Sequence, residues 1–286
     1  METTAAAPAP YLHGSQKLLH LVRHAQGLHN LEAEKRPTSI DLVDPELSSQ
    51  GWQQVRDQRK NLSASGLLER IEVVITSPLL RTLQTSVGIF GGDPDRPDHV
   101  TPLQEANIEN DGQRGISTFN RLPIIASELC RERKSKNRQR GTLSQCRSRF
   151  PAVDFSLIES EDDVLWESDE RETNEAVAAR GIKFIKWLLG RKEKEIAVVS
   201  HGVFLQQTMI ALRNKCYPLV DGDFNYSRFG NCEIRSVIIF NESVMGLGSD
   251  SLTTSYQAHG GRITRYGLQL QNDSAEDNVP VDEATN

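Results

Sequence analysis

Residues 18–30 read LLHLVRHAQGLHN. Four of the five residues 18–22 are apolar, with no alternation of polar positions. That is the pattern of a strand covered on both faces, and such strands belong to parallel sheets sandwiched between helices. Arg23 and His24 follow directly. In an open α/β sheet, ligands gather outside the carboxyl ends of the strands, which is where His24 falls. A histidine there can be a core residue, a metal ligand or a nucleophile.

Two further runs repeat the pattern. IEVVITS (71–77) is a buried strand ending in Ser77-Pro78, with Arg81 just inside the next helix, and EIAVVS (195–200) ends in His201-Gly202. Helical spacing predicts helices between them. Trp52, Val55 and Leu62 mark one over 49–62. Leu79, Leu83, Val87 and Phe90 mark another over 79–90. Val177, Gly181, Phe184 and Leu188 mark a third over 174–190, with Gly190 as its stop, and 203–212 reads as a fourth. PIIASEL (123–129) is a short strand, and 232–240 and 262–271 are strands that extend the sheet at an edge. Alternating strands and helices predict an α/β three-layer sandwich, a mainly parallel sheet with helices on both faces. The segment 105–170 lacks clean periodicity and is expected as an inserted cap. The domain is expected to span 15–271, between a disordered Ala/Pro/Thr-rich stretch at 1–14 and a polar, acidic tail at 272–286.

Bulk properties narrow the function. Of 286 residues, 37% are hydrophobic and 25% charged, and the formal net charge is −6. Binding of nucleic acid by charge alone is therefore not expected. No apolar run reaches the roughly 18 residues of a membrane span. The N-terminus lacks the pattern of a secretory signal, so a cytoplasmic location, alone or with the nucleus, is expected. Cys130, Cys146, Cys216 and Cys232 are scattered and read as reduced thiols. Oligomeric state is not legible. The run RERKSKNRQR (131–140) contrasts with the net charge. Arg133, Lys134, Lys136, Arg138 and Arg140 can form an anion-steering lip, or simply a solvated loop.

Each strand-end residue alone is more often structural than catalytic, but two histidines and two arginines converging on one sheet edge suit phosphoryl transfer. Arg23 and Arg81 offer planar, permanently charged forks for phosphate oxygens. A neutral imidazole at His24 can attack phosphorus if its other ring nitrogen is pinned. His201 can stabilise charge on the transferred group, and Asn30 can donate one more hydrogen bond. A carboxylic acid must then protonate the leaving oxygen. His20 and His29 read as structural or surface residues.

LVRHAQGLHN, LSSQGWQQV, SPLLRTLQT and VVSHG, in that order, resemble the defining blocks of the histidine phosphatase superfamily, in its phosphoglycerate mutase-like branch. FPAVDFSLIESEDDVLW and RKEKEIAVVSHGVFL resemble the plant and fungal group of phosphoglycerate mutase-like proteins. The resemblance covers residues 15 to 245. It implies that His24 is the phosphorylated nucleophile and that Arg23, Arg81, His201, Asn30 and the Gly202 N–H form the phosphate pocket. It implies no cofactor. No metal is implied either: carboxylate clusters and a His-Glu-x-x-His pattern are lacking, and two arginines repel a cation. The family's proton donor, a Glu after a middle strand, falls on Glu132, with Glu128 and Glu105 as alternatives. The chain departs from its relatives at KSKNRQRGTLSQC, where a Cys-Asp-Lys-Arg-Arg-like block is expected, so specificity can differ. The function this implies is hydrolysis of a small phosphomonoester. Mutase-type transfer, a catalytically poor phospholigand-binding protein, and a diphosphate or phosphoprotein substrate are the alternatives.

Overall fold

The computed structural model describes residues 16–35, 44–91, 122–134, 139–165, 171–215, 226–241, 257–258, 261–262 and 264–268. The expectations for 1–14, for the tail at 272–286 and for Cys216 lie outside them. In chain order the elements begin with β1 (Gln16–Arg23), α1 (Leu28–Lys35), α2 (Ser49–Ala64), β2 (Val73–Thr76), α3 (Leu80–Phe90) and β3 (Ile124–Ala126). They continue with α4 (Leu143–Arg149), β4 (Val153–Asp154), α5 (Asn174–Leu189), β5 (Glu195–Ser200), α6 (Gly202–Lys215) and β6 (Ile234–Asn241). A short hairpin of β7 (Gln257–Ala258) and β8 (Gly261–Arg262), then β9 (Thr264–Leu268), complete the described elements.

Seven strands form one sheet in the order β4-β3-β2-β5-β1-β6-β9. Every pair in it is parallel except β1 with β6. The mainly parallel α/β sandwich read from the sequence is therefore the fold observed. Residues of β1, β2 and β5 are buried throughout, and alternate side chains serve opposite layers. Leu19, Leu21, Val73, Ile75, Ile196 and Val198 pack with Phe184 and Leu188 of α5 and with Phe204 and Met209 of α6. Val22, Val74, Ala197 and Val199 pack with Val55 and Leu62 of α2 and with Leu83, Ile89 and Phe90 of α3. Two filled faces explain why these strands carry apolar residues at consecutive positions.

Local details follow from backbone hydrogen bonding. The expected strand PIIASEL shortens to β3, because the Ser127 N–H makes the last ladder bond, to Thr76 O at 2.8 Å. A turn of 3-10 helix over Glu128–Cys130 follows. Gly190 caps α5 as expected. Within 105–170, the described part is built into the layers rather than laid over them. β3 and β4 extend the sheet, and Leu143, Cys146, Phe150 and Ile158 pack in the α2–α3 layer. The C-terminal expectation divides in two: β9 is the edge strand, whereas β6 lies inside, against β1. Among the described residues no helix is long and apolar enough to cross a membrane.

Helices α5 and α6 meet at Gly181. A Cβ there would lie 2.2 Å from Thr208 Oγ1 and 3.1 Å from Thr208 Cα. Gly181→Ala gains about 1 kcal/mol of helix propensity but forces apart a packed seam, which costs about 1–3 kcal/mol. The expected result is net destabilisation in urea titration, partly relieved by adding Thr208→Ala. A stabilised single variant would contradict this packing.

Candidate active site

Parallel register places the site. Arg23 pairs with Ser200 in β1–β5, and Thr76 with Val199 in β2–β5, so three strands end on one line. The chain continues the ladder briefly: the His24 N–H donates to Ser200 O (2.9 Å) and the Ser77 N–H to Val199 O (3.1 Å). His24, Ser77 and His201 therefore stand side by side.

Arg81, in the first turn of α3, reaches across them and is 1% exposed. Its Nε lies 3.4 Å from His24 Nε2, and its Nη2 3.2 Å from His201 Nδ1. A guanidinium only donates, so both of these ring nitrogens are acceptors, and the tautomers follow. His24 Nδ1–H donates to the Ala25 carbonyl at 2.7 Å, and His201 Nε2–H to Ser77 Oγ at 2.8 Å. His24 and His201 are 2% and 0% exposed, their ring centroids 5.2 Å apart. Burial, then the charge of Arg81, holds the His24 pKa well below the usual histidine value, with lesser contributions from His29 and Arg23. His24 is thus a neutral imidazole with its Nε2 lone pair turned toward a buried cation.

The loop after His24 is clamped from several sides. The Ala25 N–H donates to Thr85 Oγ1 (3.1 Å), and the Leu47 N–H to Gln84 Oε1 (2.8 Å). Ser48 caps α2 through the Gly51 N–H and also donates to Gln26 Oε1. A Cβ on Gly51 would stand 2.1 Å from the Gln26 carbonyl oxygen, so only glycine admits this approach. The Leu-Ser-x-x-Gly block is thus a brace for the His24 loop. Asn30 accepts from the Gly27 N–H (3.0 Å) and from Asn231 Nδ2 (3.3 Å). Both bonds use its Oδ1.

Glu132 is buried at the N-terminus of α6. Its carboxylate accepts from the N–H groups of Arg133 (2.9 Å), Phe204 (3.2 Å) and Val203 (3.5 Å). This sets it beside Gly202, the first residue of that helix. Arg180 holds the Glu132 segment through the carbonyls of Leu129 and Arg131. Glu128 sits differently: it is paired with Arg131 (3.1 Å) and Arg140 (2.8 Å). Glu105 lies outside the described residues. The basic lip changes accordingly. Arg140 is buried and spent on Glu128 and on the carbonyls of Ser160, Glu161 and Asp162. Arg133 donates to Asn174, while Lys136 and Arg138 lie outside the described residues. Arg140 therefore does not belong to an anion-steering rim.

His20 is remote, bound to Ser236 Oγ (2.8 Å) and Glu195 (3.0 Å) within the sheet. His29 is nearer than expected, its ring centroid 5.5 Å from that of His24. Cys130, Cys146 and Cys232 are buried free thiols, and burial raises their pKa values. Among the described residues no group of three His, Cys, Asp or Glu is placed to hold a metal.

Sequence reasoning missed two features. The first is Asp44, whose Oδ1 accepts the Leu80 N–H (2.8 Å) and lies 3.9 Å from Arg81 Nη1. It caps α3, which has no side-chain cap of its own, and it is the acid facing Arg81. The second is the segment 226–233. Phe229 O accepts from Arg23 Nη1 (2.6 Å), Glu233 O from the Arg23 N–H (3.1 Å), and the Cys232 N–H donates to His24 O (3.2 Å). The only non-glycine residues with positive φ among those described are Asp44 (43°) and Cys232 (60°), and both touch the site. The Asp-Pro pair at 44–45 was the one available cue to the first.

Comparison with known proteins adds the following. A family model described as Histidine phosphatase superfamily (branch 1) matches residues 19–111 and 111–239. Phosphoglycerate mutase-like protein 1 of Arabidopsis thaliana is 48% identical over 291 residues, spanning 99% of this chain and 100% of that protein. Phosphoglycerate mutase-like protein 2 of the same plant is 43% identical, spanning 84% of this chain and 78% of that one. Among solved structures, a mycobacterial glucosyl-3-phosphoglycerate phosphatase complexed with VO3 is 18% identical. It covers 77% of this chain and 92% of its own, with a TM-score of 0.44.

Burial pushes the Asp44 pKa up to about 6, against the opposing pull of Arg81 and the Leu80 N–H. A folded value above the ordinary 3.8 means that the folded state binds more protons between these pH values. Ionising Asp44 thus lowers stability as pH rises from about 4 to about 6, by about 3 kcal/mol in all. Asp44→Asn tolerates the positive φ and carries no charge. It is expected to unfold at higher urea than wild type at pH 7.5, with the gap closing near pH 4, and to bind inorganic phosphate more tightly at pH 7.5, because a negative charge 3.9 Å from Arg81 is removed. Lower stability of the variant at pH 7.5 would contradict the assignment.

Proposed function

Because the chain belongs to the histidine phosphatase superfamily, we propose that it is a phosphatase hydrolysing a small phosphomonoester through a phosphohistidine on His24. One observation carries the reading. The Nδ1–H of His24 is fixed on the Ala25 carbonyl, which presents the Nε2 lone pair to a space walled by Arg81 and His201. Pinning one nitrogen to expose the other is what an attacking imidazole requires.

In the proposed reaction a phosphoryl group enters between the imidazoles, and its oxygens take over the donors of Arg81. Arg23 and the Gly202 N–H at the start of α6 add donors, and α6 is oriented so that its N-terminus favours negative charge. His201 Nδ1, released from Arg81, takes up the proton of a monoanionic phosphoryl group and holds it against a nonbridging oxygen. His24 Nε2 bonds to phosphorus as the ester P–O bond breaks, and Glu132 gives its proton to the leaving alcohol oxygen. Water, deprotonated by the same carboxylate, then attacks phosphorus, and the N–P bond breaks to free inorganic phosphate and His24. Glu132 is preferred over Glu128 because the latter's carboxylate is engaged by two arginines. The relatives' names, phosphoglycerate mutase-like, favour a second reading in which the phosphoryl group returns to another position of the retained product.

His24→Ala is expected to lower kcat by about 10³-fold or more. Wild type, quenched with alkali and detergent during turnover of a labelled phosphomonoester, should retain label on the protein as an acid-labile, base-stable adduct. Failure to label, together with unchanged activity in the variant, rejects the phosphohistidine. Phosphate binding without turnover favours a binding protein, and positional isomers instead of inorganic phosphate favour the mutase. In a single turnover followed by release of the alcohol, which the later attack of water does not enter, Glu132→Gln should slow an alkyl phosphate about 10²-fold or more, yet slow 4-nitrophenyl phosphate much less, because its leaving group needs no proton. Equal losses on both would remove Glu132 as the acid.

A further inference from the structure

The segment 226–233 is tied to Arg23, His24 and Asn30 by the hydrogen bonds given above, and it carries an arginine that none of those bonds uses. Arg228 is exposed, between buried Phe229 and half-buried Tyr226. Its side chain lies along the start of α6. A Cβ on Gly202 would stand 3.1 Å from Arg228 Nε, 3.5 Å from Arg228 Cγ and 3.3 Å from Arg23 Nε. Two guanidinium groups therefore face the same glycine, at a helix end whose Val203 and Phe204 N–H groups hold Glu132 while the Gly202 N–H is left to a substrate.

No carboxylate among the described residues meets Arg228, whereas Arg235, seven residues on, is paired with Glu233 at 2.6 Å. Like charges held this close favour an anion beside them. The three arginines differ in depth: Arg81 and Arg23 are buried, at 1% and 7% exposure, and Arg228 is open to solvent. A phosphoryl group within reach of His24 occupies the buried end. What comes to Arg228 is the part of the substrate that leaves.

The geometry points to Arg228 as a specificity-determining residue for phosphomonoesters whose leaving group carries its own anionic group, a carboxylate or a second phosphate. The inference rests on the phosphatase reading above and names its substrate class. Arginine suits both anions, since its planar fork matches the oxygens of either. It also answers an electrostatic difficulty. A chain of net charge −6 repels a doubly anionic substrate, and a cation at the mouth offsets that locally.

The test compares wild type, Arg228→Ala and Arg228→Lys on phenyl phosphate, 4-carboxyphenyl phosphate and phenylene-1,4-bisphosphate. Following each substrate across the variants cancels its intrinsic reactivity. Arg228→Ala should lower kcat/KM about tenfold more on the two doubly anionic substrates than on phenyl phosphate, chiefly through KM, with partial recovery in Arg228→Lys. A selective loss on one of the two supports the inference and identifies the anion. Equal losses on all three would mean that Arg228 grips the transferred phosphoryl group, and no loss on any would mean that it touches no substrate. Either result overturns the inference. Should wild type turn over none of them, the phosphatase reading fails separately, and calorimetry decides for Arg228. Phosphoglycolate binding tighter than inorganic phosphate in wild type but not in Arg228→Ala sustains its role, and the same preference in both proteins ends it.

Discussion

A guanidinium buried between two imidazoles is the constraint on which the site depends. Arg81 can occupy that position only if His24 and His201 are both neutral and both turn a lone pair toward it. That condition dictates the two tautomers. They in turn dictate what each outer ring nitrogen must meet, the Ala25 carbonyl in one case and Ser77 Oγ in the other. A buried cation is costly to hold, and Asp44 faces this one at 3.9 Å. The arrangement is thus stable enough to persist and incomplete enough to favour an incoming anion.

The sheet makes this possible by ending three strands on one line. Parallel register is set by the filling of both faces, since a one-residue slip of β1 would exchange its two sets of side chains between the α2–α3 and α5–α6 layers. His24 is brought beside His201 by Leu19, Val22, Ala197 and Val198, which touch no ligand. The same logic extends to the Leu-Ser-x-x-Gly block, where Gly51 makes room for the Gln26 carbonyl and Ser48 ties the loop to a helix end.

How much of this was legible depended on the distance over which each residue finds its partner. The apolar runs and the polar residues at their ends are local signals, so Arg23, His24, Arg81 and His201 were readable in the chain. Glu132 and Glu128 look alike four residues apart; α6 separates them by offering backbone N–H groups to one, while Arg131 and Arg140 take the other. Arg140 read as part of a solvent-facing basic run because its partners, Ser160 to Asp162, lie some twenty residues away. Asp44 and the segment 226–233 belong to loops without periodicity. Their importance comes from positive φ and from contacts spanning long stretches of chain, which no local pattern records.

Asp44, beside Arg81, and Cys232, bonded to the His24 carbonyl, hold left-handed backbone conformations that side chains with a Cβ rarely adopt. Such conformations persist only while the surrounding packing outvotes them. Warming or mild denaturant relaxes minority conformations first, well before a fully buried parallel sheet opens. These two turns are therefore expected to lose their shape before the sheet beneath them, which outlasts the chemistry it carries.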